Sequence, residues 1–259
     1  MPANDNATVE KRPIKAAVAL WLTFIAGFVD IAGAITIYDI FSAHMTGTTV
    51  RLGEHLVQRD WNALAITGLV LTAFVMGSLV GRILIEAAAR ARFRSIAAIT
   101  LACEAVLLLC GMMFTPPRPE IAFSAVAPPL LTLAAAMGFQ TATLTRVGPL
   151  TVHTTFVTGM INKLSQLVSH WMFRTYDLAR AERQRARELR DARLHAAREA
   201  RFIFSIWLLY VIGAICGIYG ALHWHRRSFL VPACMLLVAI GTDLIHPLSI
   251  EEEREQSER

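Results

Sequence analysis

Asp30 and Glu104 each sit inside a long apolar run, and Thr46-Gly47 and Thr158-Gly159 lie between such runs. An ionised carboxylate at hydrocarbon depth costs ~2.5–3.5 kcal/mol on insertion scales, so it must be neutral, paired or facing water. The chemistry open to Asp30 and Glu104 is therefore proton or cation coupling, or a structural hydrogen bond between helices. A Thr-Gly pair supplies hydroxyls and close backbone approach. Glycine permits an unwound turn, and a helix restarting after it aims its N-terminal amides at an anion or substrate. The bland alternative is a tight helix crossing through small residues. Thr48 and Gln140 add polar groups nearby, with His44, Asn162 and Lys163 as lesser candidates. Arg146 follows an apolar run and either anchors at headgroups or faces Asp30. The expected solute site is Thr46, Gly47, Thr48, Gln140, Arg146, Thr158 and Gly159, with Asp30 and Glu104 as the coupling or buried charges. No catalytic residue, metal site or cofactor is expected.

These residues recur in two copies. GFVDIAGAITIYDIFSAHMTGTTVRLGEHLV (27–57) aligns, with one gap, to GFQTATLTRVGPLTVHTTFVTGMINKLSQLV (138–168). Gly27-Phe28 matches Gly138-Phe139, Thr46-Gly47 matches Thr158-Gly159, and Leu56-Val57 matches Leu167-Val168.

A 259-residue chain that is 55% hydrophobic and 17% charged is not an ordinary soluble composition. Several windows of about 20 residues carry at most one charge, the length needed to cross ~30 Å of hydrocarbon. The net charge of +5 does not argue for nucleic acid, because the arginines sit in loops where membrane topology uses them. Cys103, Cys110, Cys216 and Cys234 form no paired spacing and read as buried thiols. No metalloprotease, nucleophile-elbow or nucleotide-binding fingerprint is present, so an enzyme or ATP-driven pump is not expected.

The elements that position the chemistry are spans. A polar segment, 1–15, reads as disordered and precedes a first repeat, 16–114, with spans near 16–38, 62–85 and 95–114. TPPRPE (115–120) is a turn by its prolines. The second repeat, 121–245, has spans near 121–145, 202–222 and 228–245. It contains a charged insert, 174–201, with nine arginines against five acids. Asp177/Arg180 and Glu182/Arg185 pairs there support a solvated helix beside anionic headgroups. An acidic tail, 246–259, closes the chain. Gly77-x-x-x-Gly81 and Gly213-x-x-x-Gly217 fall in corresponding spans and read as internal packing. His223-Trp224-His225 reads as an interface belt.

If the Thr-Gly elements re-enter rather than cross, the first 15 residues, the Arg90–Arg94 loop, the insert and the C-terminus share one side. The positive-inside tendency makes that side the cytoplasm. The expected fold is an all-α integral membrane protein of six transmembrane helices, or seven if the second Thr-Gly element crosses. They form two inverted three-helix repeats with interrupted helices, a plan used by secondary transporters.

GFVD (27–30), HMTGTTVRLG (44–53) and MGFQTATLTRVG…TTFVTG (137–159) resemble the YoaK family, a bacterial membrane family whose activity its name does not state. The family pattern reads Met-Thr-Gly-Asn where this chain has Thr48, and Gln-Asn-Ala where it has Gln140-Thr141-Ala142. The resemblance implies a multi-pass protein of the bacterial inner membrane. The expected function is a secondary transporter or permease of a small solute, proton- or cation-coupled. The alternative is a non-transporting sensor or assembly protein that docks a partner through 174–201. The lipid bilayer and a small solute are the expected partners, with room for homo-oligomers.

Overall fold

The computed structural model of the chain describes residues 5–37, 41–117, 122–143, 146–147, 150–151, 157–180 and 183–248; of these, side chains 5–12, 146–147, 150–151 and 183–185 lie outside the description. Eight α-helices carry it: α1 Asp5–Thr36, α2 Met45–Gln58, α3 Trp61–Arg90, α4 Ile96–Phe114, α5 Phe123–Thr143, α6 Val157–Arg180, α7 Arg183–Trp224 and α8 Leu230–Ile245. Strands β1 (Arg146–Val147) and β2 (Leu150–Thr151) pair antiparallel between α5 and α6.

Among the described residues, five segments are long and apolar enough to cross a membrane: Pro13–Thr36, Trp61–Arg90, Ile96–Phe114, Phe123–Thr143 and Ala186–Ile245. The last runs through α7, a short 3-10 turn (His225–Phe229) and α8. α2 has 14 residues, about 21 Å at 1.5 Å per residue, too short to cross. Val75 and Ile83 on α3, Tyr219 and Leu222 on α7, and Leu237 and Val238 on α8 face outward. So continuous an apolar exterior is tolerable only against lipid.

Helix directions follow from the contacts. α1 and α7 run parallel, Phe24 meeting Gly213 and Phe28 meeting Gly217. α3 and α5 also run parallel, with Gly77 on Ala135 and Gly81 on Phe139 and Ala142. α4 runs antiparallel to α5: Thr143 Oγ1 donates to Thr100 Oγ1 at 2.8 Å, while Gly111 packs on Thr132 and Leu133. α4 is antiparallel to α8 as well. The Asp243 carboxylate accepts from Ala98 N (2.8 Å) at one end, and Arg226 Nη1 donates to Thr115 O (3.4 Å) at the other. Asp243 thereby caps α4 from another helix, a duty that the Ser95 side chain leaves undone.

The two parallel crossings are alike in detail. A Cβ on Gly27 would overlap the Tyr210 carbonyl, and one on Gly213 would overlap the Phe24 carbonyl. A Cβ on Gly138 would overlap the Phe74 carbonyl, and one on Gly77 the Ala135 carbonyl. The spacing that takes Gly27 to Gly138 takes Phe24 to Ala135; the spacing that takes Gly77 to Gly213 takes Phe74 to Tyr210. Backbones this close leave no room for a side chain, as in small-residue membrane crossings.

Four expectations change. The segment expected to be disordered, 1–15, is helical from Asp5, and Pro13 lies inside α1. The cysteines, expected to be buried, are not: Cys216 and Cys234 are exposed and Cys103 and Cys110 half-buried. The 174–201 insert is continuous with the helices on either side. α6 runs into it, and α7 leaves it as one 42-residue helix, because its polar residues are strong helix formers that let both helices extend past the apolar boundary. Arg180 stacks on the Tyr176 ring at 4.1 Å, and no ion pair joins it to Asp177; a ring one turn back is a better apolar cover for the guanidinium.

Gly213→Val is expected to destabilise the protein by about 1–3 kcal/mol through overpacking. Gly53→Ala, where a Cβ meets nothing within 4 Å, is expected to be neutral or slightly stabilising. Thermal unfolding in detergent checks both; an unchanged Gly213→Val would mean the crossing is looser than described.

Candidate functional site

The first long helix stops at Thr36, and α2 restarts at Met45 with His44 before it. Asp30, 4% exposed, holds the end of the linker between them. Its Oδ1 accepts from Ala43 N at 2.7 Å and from Ser42 Oγ at 3.3 Å. Its Oδ2 accepts from Tyr210 Oη on α7 at 2.9 Å. One carboxylate thus ties α1, the linker and α7, and satisfies a backbone amide that has no helical partner.

The Thr-Gly pairs were expected to be the unwound turns themselves. Both are helical instead: Thr46-Gly47 in the first turn of α2 and Thr158-Gly159 in the first turn of α6, with the break before them. The Thr48 hydroxyl donates to His44 O at 3.0 Å and the Thr49 hydroxyl to Met45 O at 2.8 Å. Such back-bonding satisfies helix carbonyls internally, which suits a helix in an apolar surrounding. Gly47 makes room for the His44 ring, whose Cε1 and Nδ1 would be 3.2 Å from a Cβ there.

A cavity of about 740 Å³ opens beside these groups, lined by Asp30, Phe41, Ala43, His44, Met45, Thr46, Phe74, Thr141, Val157, Thr158 and Tyr210. It collects the linker, the first turns of α2 and α6, and one wall residue each from α1, α3, α5 and α7. The His44 ring stands edge-on to Phe41, centroids 5.9 Å apart. A second, larger groove of about 950 Å³ between α1, α7 and α8 is walled mostly by apolar groups such as Trp21, Phe24 and Phe28, with His223 and no Asp, Glu, Lys or Arg among its described lining.

Of the expected site residues, the structure brings Asp30, Thr46 and Thr158 to one cavity. Gly47 stands beside it as clearance for the His44 ring, Gly159 follows Thr158 in α6, and Thr48 is buried with its hydroxyl spent on its own helix. Gln140 is fully buried away from the lining, donating Nε2 to Leu22 O of α1 at 2.6 Å. Arg146 begins β1 and its side chain lies outside the described residues. Glu104 is fully buried, and neither carboxyl oxygen has a hydrogen-bond partner among the described residues; the same holds for Gln140 Oε1. The Thr100–Thr143 bond sets a register that brings Glu104 level with Phe139, the neighbour of Gln140, on the facing helix.

Sequence reasoning missed Tyr210, Phe41, Phe74, Thr141 and Asp243. Aromatic residues in an apolar run give no functional signal alone. The repeat spacing does give one, because it maps Phe74 onto Tyr210 and Asp30 onto Thr141.

Outward apolar faces, internal polar ties and span-length helices define a multi-pass α-helical membrane protein. The chain belongs to the family described as a protein of unknown function, DUF1275, whose model matches residues 18–242. It is similar to the UPF0700 transmembrane protein YoaK of Bacillus subtilis (strain 168), at 26% identity over 215 residues, 83% of this chain and 88% of that protein. No solved structure matches it.

Tyr210→Phe leaves Oδ2 of Asp30 without its donor and is expected to cost about 1–3 kcal/mol. Asp30→Ala should cost more, since it also frees the Ala43 amide. The double variant should fall short of the sum, as expected within one network. Unfolding midpoints of the three variants check this; strict additivity would mean that the contact carries no energy.

Proposed function

We propose that the protein is a secondary transporter of a small solute, built as two inverted three-span repeats around one shared cavity. The observation that carries this reading is the matched origin of the lining. Asp30 corresponds to Thr141, Tyr210 to Phe74 and Thr46 to Thr158, and all six line the cavity. Transporters with inverted repeats hold solute at the repeat interface beside interrupted helices. Irregular backbone at membrane depth is tolerated where it lines such a cavity.

Six crossings, α1, α3, α4, α5, α7 and α8, agree with the helix directions, since α1 and α7 run one way with α4, and α3 and α5 run the other way with α8. The Arg90–Arg94 loop and the arginine-rich α6–α7 extension then share the cytoplasmic side of a bacterial inner membrane. In a background without the four native cysteines, Arg92→Cys should resist an impermeant maleimide in intact cells, while Pro117→Cys should react. Labelling at position 92 would overturn this topology.

Glu104 is the proposed coupling acid. Protonated, its carboxyl supplies the donor that Gln140 Oε1 lacks; ionised, it has no partner among the described residues and favours release of the packing around it. The test uses proteoliposomes with an imposed pH gradient, an internal pH dye and a library of small metabolites. At least one solute should move protons, and Thr46→Val with Thr158→Val should slow it by about tenfold per lost hydrogen bond of ~1.4 kcal/mol. Glu104→Gln keeps a donor for Gln140 and should fold and exchange solute without moving protons. Full proton-coupled flux in that variant removes Glu104 from the mechanism.

A partner-docking role is favoured by one feature, the exposed Trp171, Met172, Phe173 and Tyr176 on α6. A gradient that no solute disturbs would favour it.

A further inference from the structure

We propose that the shared cavity selects its solute by an ammonium group, set against Asp30 and walled by the rings of Phe41, Phe74 and Tyr210. The inference rests on the reading of this cavity as the solute site and adds the solute's chemical class. Asp30 is the only Asp, Glu, Lys or Arg on the lining among the described residues. Its three hydrogen-bond donors are a backbone amide and two hydroxyls, from Ala43, Ser42 and Tyr210. All are neutral, so none offsets a carboxylate charge. A carboxylate oxygen accepts about two hydrogen bonds. Oδ1 has two already, whereas Oδ2 has only the Tyr210 hydroxyl, which leaves it room for one N–H from a solute.

The aromatic walls point the same way. Rings present negative faces, and a cation within about 6 Å of a ring centroid is held by that charge distribution. An organic anion would instead meet the Asp30 charge, with the His44 ring the one wall group among the described residues able to carry a positive charge against it. The repeat makes this polarity one-sided: the position equivalent to Asp30 is Thr141, and the partner equivalent to Tyr210 is Phe74. One half thus offers a charge, and the other a hydroxyl and a ring. The volume of about 740 Å³ suits a metabolite-sized solute. Thr46 and Thr158 line the cavity beyond the ammonium group, and the helix first turns they stand in accept a carboxylate, whereas the Thr141 hydroxyl donates to Met137 O of its own helix. A simple amine and an amino-acid zwitterion therefore share the recognised group.

The experiment measures binding to the full-length protein in detergent, by calorimetry, for butylammonium, norvaline, butanol and butyrate. Butylammonium or norvaline is expected to bind, with butanol and butyrate at least about tenfold weaker; tighter norvaline would identify the zwitterion as the source, tighter butylammonium the amine. Phe74→Leu should weaken ammonium binding by about twofold to thirtyfold, and Asp30→Asn by more. Phe74→Leu leaves the Asp30 hydrogen bonds intact, so it serves even if Asp30→Asn does not fold. Butyrate or butanol binding as tightly as the ammonium probes, unchanged affinity in Phe74→Leu, or no binding of either ammonium probe would overturn the proposal. Proton-coupled uptake of an anionic or neutral solute would overturn it while leaving the transporter reading standing. Ammonium binding without any solute movement would do the reverse.

Discussion

Asp30 answers a problem set by the membrane itself. Where a helix is interrupted within hydrocarbon, the freed amides and carbonyls have no water to turn to, and each unmet group costs several kcal/mol. The chain stops α1 after Thr36 and restarts at Met45. Asp30 reaches forward to the Ala43 amide and the Ser42 hydroxyl and sideways to Tyr210 on α7. The carboxylate therefore meets the polar demand of the break and fixes its position against another helix. The first turn of α2, and with it Thr46 and His44, inherits that position. Without such a tie, the linker between α1 and α2 would have no defined place.

Packing around that tie depends on two crossings where helix backbones nearly touch. Gly27 and Gly213 bring α1 onto α7, and Gly77 and Gly138 bring α3 onto α5. Lipid gives no hydrophobic reason for helices to associate, so van der Waals contact over small residues supplies much of the attraction. The residues that flank the crossings, Tyr210 and Phe74, then stand at matched places on the cavity wall. The crossings that hold the helices together also place the rings proposed to hold the solute. α4, packed on α5, also pairs antiparallel with α8, stitched by Asp243 at one end and by Arg226 and His225 at the other.

Much of this was legible in residue order. Asp30 stood out because a carboxyl in an apolar run is costly, and Thr46 and Thr158 because they recur in matched copies. Gln140 and Glu104 were legible as buried polar groups for the same reason, but not where they point. Gln140 turns to Leu22 of α1 rather than to the cavity. Thr48 looked like a ligand and serves its own helix. Tyr210 and Phe41 carried no signal, since an aromatic residue in an apolar stretch is ordinary there. Asp243, near the end of an apolar run, gave no hint that it caps α4.

The sequence by itself determined the apolar spans, the duplicated pattern and which residues could not be left unsatisfied in lipid. Those follow from composition and period, because hydrocarbon penalises charge and free backbone wherever they fall. Only the tertiary structure decided which helices pack together, that the break precedes the Thr-Gly pairs, and which threonines line the cavity. A side chain's direction is set by rotation about the helix axis and by the neighbour it meets. A helix turns by about 100° per residue, so Thr46 and Thr48, two residues apart, face a cavity and a core.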